Sequence, residues 1–353
     1  MLNISRRRIT STDIVVWIIG LLIVGAVVYG SVATLVAGKY SLGNWIDLFV
    51  LGIVQGSIYA LIALGYTMVY GILRMINFAH GEVFMSGPFT AFFVVDAFAR
   101  SGFLATNPVV SLLLVGLASM AVSVVVAVLL ERIAYRPLRG APRLVPLITA
   151  IGASFFLQYT FRGFYGSGIK AYPTIPLLEG FWTLGGVRIF RLQALVILAA
   201  VILMLILYAI VQKTRVGRSM RAVSEDKEVA ALMGIDVDRI IQFTFVLGGA
   251  AAGAAGVLYA LIFKQVHFFM GFFPGLKAFT AAVLGGIGNV PGAMFGSLVL
   301  GIVESLGPNL FLDGLGIPAP YQLKDAIAFT ILVLILIFRP TGILGERLAE
   351  TKA

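Results

Sequence analysis

Long stretches without charged residues constrain this chain more than any other feature of its sequence. A run of about 20 apolar residues is long enough for a helix to cross the roughly 30 Å hydrocarbon core of a bilayer. Nine uncharged apolar regions occur, most of them near this length, over residues 14–38, 48–73, 83–95, 108–130, 144–161, 192–212, 240–263, 278–303 and 326–338. The sequence therefore predicts an all-α, polytopic membrane protein.

Composition agrees with this fold class and excludes several functions. Hydrophobic side chains make up 60% of the chain and charged ones only 12%, against about 25% charged residues in a soluble domain. The sequence has no Gly-x-x-x-x-Gly-Lys-Ser/Thr phosphate loop, no His-Glu-x-x-His pattern and no cysteine. We therefore expect no ATP site, no metal site, no nucleic-acid partner and no enzymatic activity in this chain.

Positive charges between the apolar regions sort to one side. The segments 1–13, 74, 131–143, 213–239 and 339–353 hold 17 of the 26 basic residues, and the opposite segments, Lys277 included, hold nine. Loops rich in Lys and Arg stay in the cytoplasm. Both termini are thus predicted to be cytoplasmic.

Nine full crossings would place the two termini on opposite sides, so one region should not cross simply. The stretch "AVLGGIGNVPGAMFG" at 282–296 interrupts an apolar run with glycines and a proline. Irregular backbone at membrane depth is tolerated where protein or water satisfies it. We predict a re-entrant hairpin there beside about eight full spans. The residues expected to break the helix are Gly285, Gly286, Gly288, Asn289, Pro291 and Gly292.

The longest charged connection, 213–240, carries a short helix pattern. Ser224 is a suitable N-cap, Glu225 and Asp226 would occupy the first turn, and Gly234 would end the helix. Val229, Leu232 and Met233 would then share one face. Two interpretations remain open, because this helix could pack on its own membrane domain or dock onto a peripheral partner.

Polar residues interrupt the apolar stretch "MINFAHGEVFMSGPF" at 75–89. On a helix extended back through Phe78, Asn77 and His80 would share a face, whereas Glu82 would not. These residues could brace the bundle by hydrogen bonds or line a pathway or gate. Ionisable residues at membrane depth commonly face a protein interior or an aqueous path.

A second polar group lies in the second apolar region. Gln55, Tyr59 and Tyr66 are spaced i, i+4 and i+11, which places them along one side of a helix. Such a stripe could solvate a zwitterion in transit, or hold helices together through polar contacts.

Four ordered blocks resemble one known family. They are "GSIYALIALGYTMVYGILRMINFAHGEVFM" (56–85), "ERIAYRPLRG" (131–140), "KAFTAAVLGGIGNVPGAMFGSLVLGIVES" (277–305) and "RPTGILG" (339–345). They are similar to the H-type membrane subunit of branched-chain amino acid importers of the ATP-binding cassette class. The 213–240 loop resembles the ATPase-coupling loop of such permeases. The loop residues carried over are Arg218, Ser224, Glu225, Asp226, Glu228, Ala231, Leu232, Gly234 and Ile235.

The resemblance implies a permease domain over 43–345, preceded by an extension, 1–42, with an extra anchor helix, and followed by a cytoplasmic tail, 346–353. An uncleaved anchor is favoured over a signal peptide because the first apolar run is long. The implied partners are a second related permease, two ATPase subunits that hold ATP and Mg²⁺, an extracytoplasmic substrate-binding protein and the lipid of a bacterial inner membrane.

Other transport functions stay open from the sequence. Related permeases with these motifs would carry urea or short amides. An ion-coupled secondary carrier would need a titratable relay, for which His80, Glu82 and Glu304 are the candidates.

Overall fold

The structure is a computed structural model that describes residues 11–142, 144–184, 187–339 and 341–345. The predicted cytoplasmic arginines at positions 6–8 and the predicted tail, 346–353, lie outside the described residues. The helices are α1 (Ser11–Ala37), α2 (Leu42–Leu73), α3 (His80–Arg100), α4 (Phe103–Thr106), α5 (Pro108–Leu130), α6 (Leu144–Tyr165), α7 (Arg191–Lys213), α8 (Arg215–Glu225), α9 (Lys227–Leu232), α10 (Val237–Phe263), α11 (Phe272–Gly285), α12 (Val290–Gly307) and α13 (Lys324–Phe338).

The remaining elements are short. A π-turn (Glu131–Tyr135) and a 3₁₀ turn (Arg136–Leu138) follow α5, a second π-turn (Pro308–Leu312) follows α12, and 3₁₀ turns cover Pro176–Leu178 and Pro320–Leu323. The strands are β1 (Lys170–Ala171), β2 (Phe181–Leu184), β3 (Val187–Phe190) and β4 (Gln265–Val266). β1 pairs with β4 and β2 with β3, both antiparallel.

The all-α membrane fold is confirmed, with one more long helix than expected. Within the described ranges, nine helices are long and apolar enough to cross a membrane, whereas the sequence suggested about eight. The additional helix is α12, which together with the π-turn after it covers Val290–Leu312. The predicted helix-breaking residues that fall within α12, Pro291 and Gly292, lie in its first turn. Among the described residues, α11 is the one further apolar helix, and it is shorter.

Glycines bring the central helices close together. A Cβ on Gly52 of α2 would lie 2.7 Å from the Cα of Ile302, and α2 runs antiparallel to α12 along this contact. On α10, Gly253 approaches α5 and Gly256 approaches α3 at similarly short range. Small residues allow such backbone approach between membrane helices, so α2 and α10 form the core of the bundle.

The chain reverses between α11 and α12, at the predicted glycine and proline break. Gly286 and Gly288 adopt φ of 107° and 98°, which favour glycine. Asn289 caps α12 by accepting from the Gly292 amide at 3.0 Å, and Pro291 lies in the first turn. The reversal is thus a turn over 286–289 between two helices, and its second arm has the length of a full span.

The segment 341–345 holds this turn in place. The amides of Ile343 and Leu344 donate to the carbonyls of Leu284 and Gly285 at 2.8 and 3.0 Å. The Asn289 side chain donates back to the Leu344 carbonyl at 2.8 Å. The "RPTGILG" block therefore closes the exposed end of the α11–α12 reversal.

The path of the chain resolves the parity problem in a different way from the expected one. After α10, residues 264–271 contain only the short β4 strand, and α11 then continues toward the 286–289 turn. Residues 264–271 and α11 together cross the bundle once, as a single helix does elsewhere in the chain. α12 then crosses back, and α13 crosses again. The start of α1 and the end of α13 meet, with 5.8 Å between the ring centroids of Trp17 and Phe338.

The two ends of the bundle are distinguished by contacts between loops. We call the end that holds Arg74, the 131–139 turns, the 213–236 loop and the 286–289 turn the basic end. Arg74 donates to the Ser224 carbonyl there, and Arg139 pairs with Asp238. The opposite end holds both β-pairs and the ion pair of Lys39 with Asp313, 2.8 Å apart.

Candidate functional site

Two helices begin inside the bundle and meet at their first turns. Arg74 ends α2 by adopting a left-handed φ of 56°, and the chain stays non-helical until α3 begins at His80. α11 likewise begins after a non-helical segment. A Cβ on Gly81 would lie 2.7 Å from the Gly271 carbonyl oxygen. The absence of side chains at these two positions lets the two helix starts cross.

A cavity of about 290 Å³ lies at this crossing, between α3, α6 and α11. We call it the central cavity. Its lining residues are Tyr66, Phe78, Gly81, Glu82, Ile151, Ser154, Phe155, Gly271, Phe272, Gly275 and Leu276. Most of this surface is apolar, and Glu82 is its one ionisable acid.

Glu82 is held by neutral donors from α6. Its Oε1 accepts from the Gln158 amide at 2.7 Å and from the Ser154 hydroxyl at 3.2 Å. Its Oε2 has no hydrogen-bond partner among the described residues, although only 1% of Glu82 is exposed. The position in the first turn of α3 favours the carboxylate through the helix dipole.

His80 lies beside the central cavity and does not line it. Its ring packs against Tyr66 in a T-shaped contact, with centroids 4.8 Å apart. Gly65 makes room for the imidazole, because a Cβ there would overlap the His80 Nε2 atom. Glu82 thus reaches the cavity, and His80 packs against α2.

Asn77 has a different partner from the one expected. α3 does not extend back through Phe78, so Asn77 and His80 do not share a helix face. The Tyr135 hydroxyl donates to the Asn77 Oδ1 at 2.6 Å, and both side chains are buried. Asn77 therefore braces the end of α5 against the segment before α3.

The predicted stripe on α2 divides between two sites. Gln55, Tyr59 and Tyr66 are all buried, but only Tyr66 lines the central cavity. Tyr59 lies next to Lys277, whose ammonium is 6.0 Å from its ring centroid. Gln55 is buried with its Oε1 unpartnered among the described residues.

A buried ionic cluster joins α11, α12 and α13. Lys277 pairs with Glu304 and, at 2.6 Å, with Asp325. The charge count assigned Lys277 to a loop at the opposite end, and this was wrong: the residue is 4% exposed, inside the bundle. Lys277 is the sixth residue of α11, an otherwise apolar helix. A lysine in such a helix indicates a buried ion pair, but its acidic partners lie on other helices and the local sequence does not identify them.

The 213–240 loop contains two helices, α8 and α9, with a different capping residue from the one predicted. Ser224 lies in the last turn of α8, and its hydroxyl donates to the Arg221 carbonyl. Asp226 caps α9 by accepting from the amides of Glu228 and Val229 at 2.8 and 3.0 Å. Glu225 consequently belongs to α8 and does not occupy the first turn of α9.

Gly234 ends α9 as expected, with φ of 82°. Val229, Leu232 and Met233 form one face of this helix and are 54%, 86% and 79% exposed. We call these three residues the docking face. Arg218, Glu225, Glu228 and Ala231 are also exposed, and Ile235 is half-buried at the loop's return to α10.

Arg74 connects this loop to the end of α2. Its guanidinium donates to the Ser224 carbonyl at 3.1 Å. A cleft of about 620 Å³ lies beside it, between the last turn of α2 and residues 223–228. Burial, together with the charges of Arg139 and Arg74, lowers the pKa of Lys227 from its usual value. Arg74 and Arg139 therefore place positive charge near the start of α9.

The described residues contain no group of three His, Cys, Asp or Glu side chains that could hold a metal ion.

Comparison with known proteins adds a consistent set of relatives. A protein-family model described as the permease component of branched-chain amino acid transport systems matches residues 48–336. The high-affinity branched-chain amino acid transport system permease protein BraD of Pseudomonas aeruginosa is 45% identical over 312 residues, 86% of this chain and 96% of that protein. The LivH permease protein of the same description from Escherichia coli is 43% identical over 300 residues, 84% of this chain and 94% of that protein.

Proposed function

This chain belongs to the family of permease components of branched-chain amino acid transport systems, and from that premise we propose that it imports leucine, isoleucine and valine as one subunit of an ATP-driven complex. The observation that carries the proposal is the family match, which spans residues 48–336. The BraD and LivH proteins, which share 45% and 43% of aligned residues with it, are described as permeases for branched-chain amino acids.

In this proposal the chain forms half of the pathway, with a second related permease as the other half. It lies in the inner membrane with the basic end in the cytoplasm, where positively charged loops are retained. Two ATPase subunits bind ATP and Mg²⁺ at that end. An extracytoplasmic binding protein delivers substrate at the opposite end.

The docking face of α9 is the proposed contact with an ATPase. Leu232 and Met233 are large apolar side chains exposed at the basic end and surrounded by charged residues. An exposed apolar anchor of this kind contributes strongly when it enters a partner's pocket. Arg74 ties the loop to α2, and Tyr66 lies two turns further along α2, about 12 Å away at 1.5 Å per residue.

Movement of α9 would therefore reach the central cavity through a rigid helix. The hydrogen bond from Arg74 to the Ser224 carbonyl transmits a shift of the loop to α2. Tyr66 of α2 lines the cavity and contacts His80 and Phe279, in α3 and α11. ATP binding by the partners would in this way alter the cavity without any nucleotide site in this chain.

Substitution of the docking face tests this arrangement. Leu232→Glu should abolish co-purification of the ATPase while membrane insertion of the permease remains normal. Leu177→Glu is the matched control, because Leu177 is also exposed but lies at the opposite end. Retention of the ATPase by the Leu232→Glu complex would show that the partner binds elsewhere.

A further inference from the structure

The Glu82 carboxylate lacks a cation. Both of its hydrogen-bond donors, Ser154 and Gln158, are neutral. No ion pair found within the described ranges includes Glu82. Its Oε2 is buried without a hydrogen-bond partner, and the residue lines the central cavity. A buried carboxylate without a positive partner is strongly unfavourable. An ammonium group in the cavity would supply both the charge and the missing donor.

The rest of the central cavity suits an aliphatic group. Phe78, Ile151, Phe155 and Leu276 form apolar walls. A polar side chain placed against them would lose its hydrogen bonds to water without replacement. The volume of about 290 Å³ is at the lower end of the roughly 300–1,000 Å³ range of small-molecule sites. The cavity therefore matches a small molecule with one ammonium and an apolar body.

The first turn of α11 supplies a complementary positive potential. Gly271, the N-cap of this 14-residue helix, and Phe272, its first residue, both line the cavity. In transporters with interrupted membrane helices, the positive dipole end of a helix that begins inside the membrane can face an anionic group of the substrate. Glu82 and the start of α11 thus present opposite charges to the two ends of a zwitterion.

We propose that the central cavity is a transit site for an aliphatic α-amino acid, in which Glu82 binds the ammonium group and the start of α11 faces the carboxylate. The proposal rests on the proposed import function and extends it to a specific site. Glu82 is then a substrate-binding residue, and Ser154 and Gln158 are positioning residues that orient its carboxylate.

Thiol labelling tests occupancy of the cavity directly, because the chain has no native cysteine. Ile151→Cys places a thiol in the cavity wall, at a position that is also 44% exposed, and Gly168→Cys places one in an exposed loop away from the cavity as the control. In the purified complex, leucine should slow the reaction of Ile151→Cys with methyl methanethiosulfonate and leave Gly168→Cys unaffected. The proposal would be overturned if leucine left the reaction rate of Ile151→Cys unchanged. It would also be overturned if Ile151→Cys reacted neither in the presence nor in the absence of bound nucleotide.

The charge of Glu82 has a separate readout. The cationic aminoethyl reagent should label Ile151→Cys faster, relative to the neutral methyl reagent, when Glu82 is present. Glu82→Gln should lower this ratio by about fivefold or more, since opposite charges a few ångströms apart attract strongly in a low-dielectric site. It should also abolish protection by leucine. If Glu82→Gln changed neither the ratio of the two labelling rates nor the protection by leucine, Glu82 would only join α3 to α6.

Transport by phenylalanine variants distinguishes the site from general packing. Phe155 lines the cavity and is 48% exposed, whereas its neighbour Phe156 does not line the cavity and is 69% exposed. Phe155→Ala should change the relative uptake of leucine and valine, and Phe156→Ala should not.

If the Glu82→Gln complex does not assemble, the labelling of Ile151→Cys in the presence of native Glu82 still shows whether leucine occupies the cavity. Failure of the unaltered complex to take up leucine with ATP would instead contradict the proposed function.

Discussion

Asn77 and Glu82 are both buried and only five positions apart, yet different helices hold them. The sequence indicates that these polar groups lie at membrane depth and leaves their partners open. Tyr135 lies 58 positions from Asn77, and Ser154 and Gln158 lie 72 and 76 positions from Glu82. Periodicity describes neighbours on one helix, so contacts of this separation could not be predicted.

Removal of the Tyr135 hydroxyl should destabilise the protein. Tyr135→Phe leaves the buried Oδ1 of Asn77 without its donor, which costs about 1–3 kcal/mol. The measurement is thermal unfolding of the purified complex in detergent. Tyr159→Phe, at a position 59% exposed, is the control and should leave the unfolding temperature unchanged. Equal stability of the two variants would contradict the bracing role of Asn77.

The buried ionic cluster gives a second prediction for single residues. Lys277→Met leaves Glu304 buried without its cation, and such a loss costs about 3–5 kcal/mol. We expect a lower yield of folded protein and a lower unfolding temperature. Adding Glu304→Gln should restore part of the stability, because the unpaired charge is removed. A double variant less stable than Lys277→Met alone would show that the ion pair is not the relevant interaction.

Single elements follow the sequence where local rules decide their limits. Gly234 ends α9 and the 286–289 glycines reverse the chain, both at predicted positions, because positive φ angles favour glycine. Ser224 and Asp226 are both suitable caps, and local pattern could not choose between them. Contacts with α2 decide it, since Arg74 holds the Ser224 carbonyl at the end of α8.

The cap assignment predicts unequal effects of two alanine substitutions. Asp226→Ala removes the acceptor for two α9 amides and should destabilise this helix by about 0.5–2 kcal/mol. Ser224→Ala removes only a hydroxyl that donates to the Arg221 carbonyl. Hydrogen exchange of the Glu228 and Val229 amides should accelerate in the Asp226 variant alone. Faster exchange in the Ser224 variant alone would restore the original cap prediction.

For the whole molecule, hydrophobic runs predict the fold class and most spans, and they do not predict how the chain crosses between α10 and α12. Glycines and a proline predict the break within the run at 278–303, but not that α12, after the break, has the length of a full span. Lys277, at the edge of that run, was assigned to a loop. Helix starts inside the bundle depend on the crossing of Gly81 with Gly271, which no local pattern shows.

Orientation in the membrane is testable with single cysteines at the two ends. Met233→Cys, at the basic end, should react with an impermeant thiol reagent only after the cytoplasmic face is opened. Gly168→Cys, at the opposite end, should react in intact spheroplasts. Both positions are exposed, so burial does not limit either reaction. Reversed labelling would place the basic end outside and remove the proposed ATPase contact.

The most direct measurement is uptake of leucine into proteoliposomes that contain this chain, its companion permease and the ATPases, with the substrate-binding protein added. We expect saturable uptake that requires ATP and is competed by isoleucine and valine. Leu232→Glu should reduce uptake by about tenfold or more, equivalent to about 1.4 kcal/mol or more. Uptake driven by an ion gradient without ATP, or uptake of urea in preference to leucine, would contradict it.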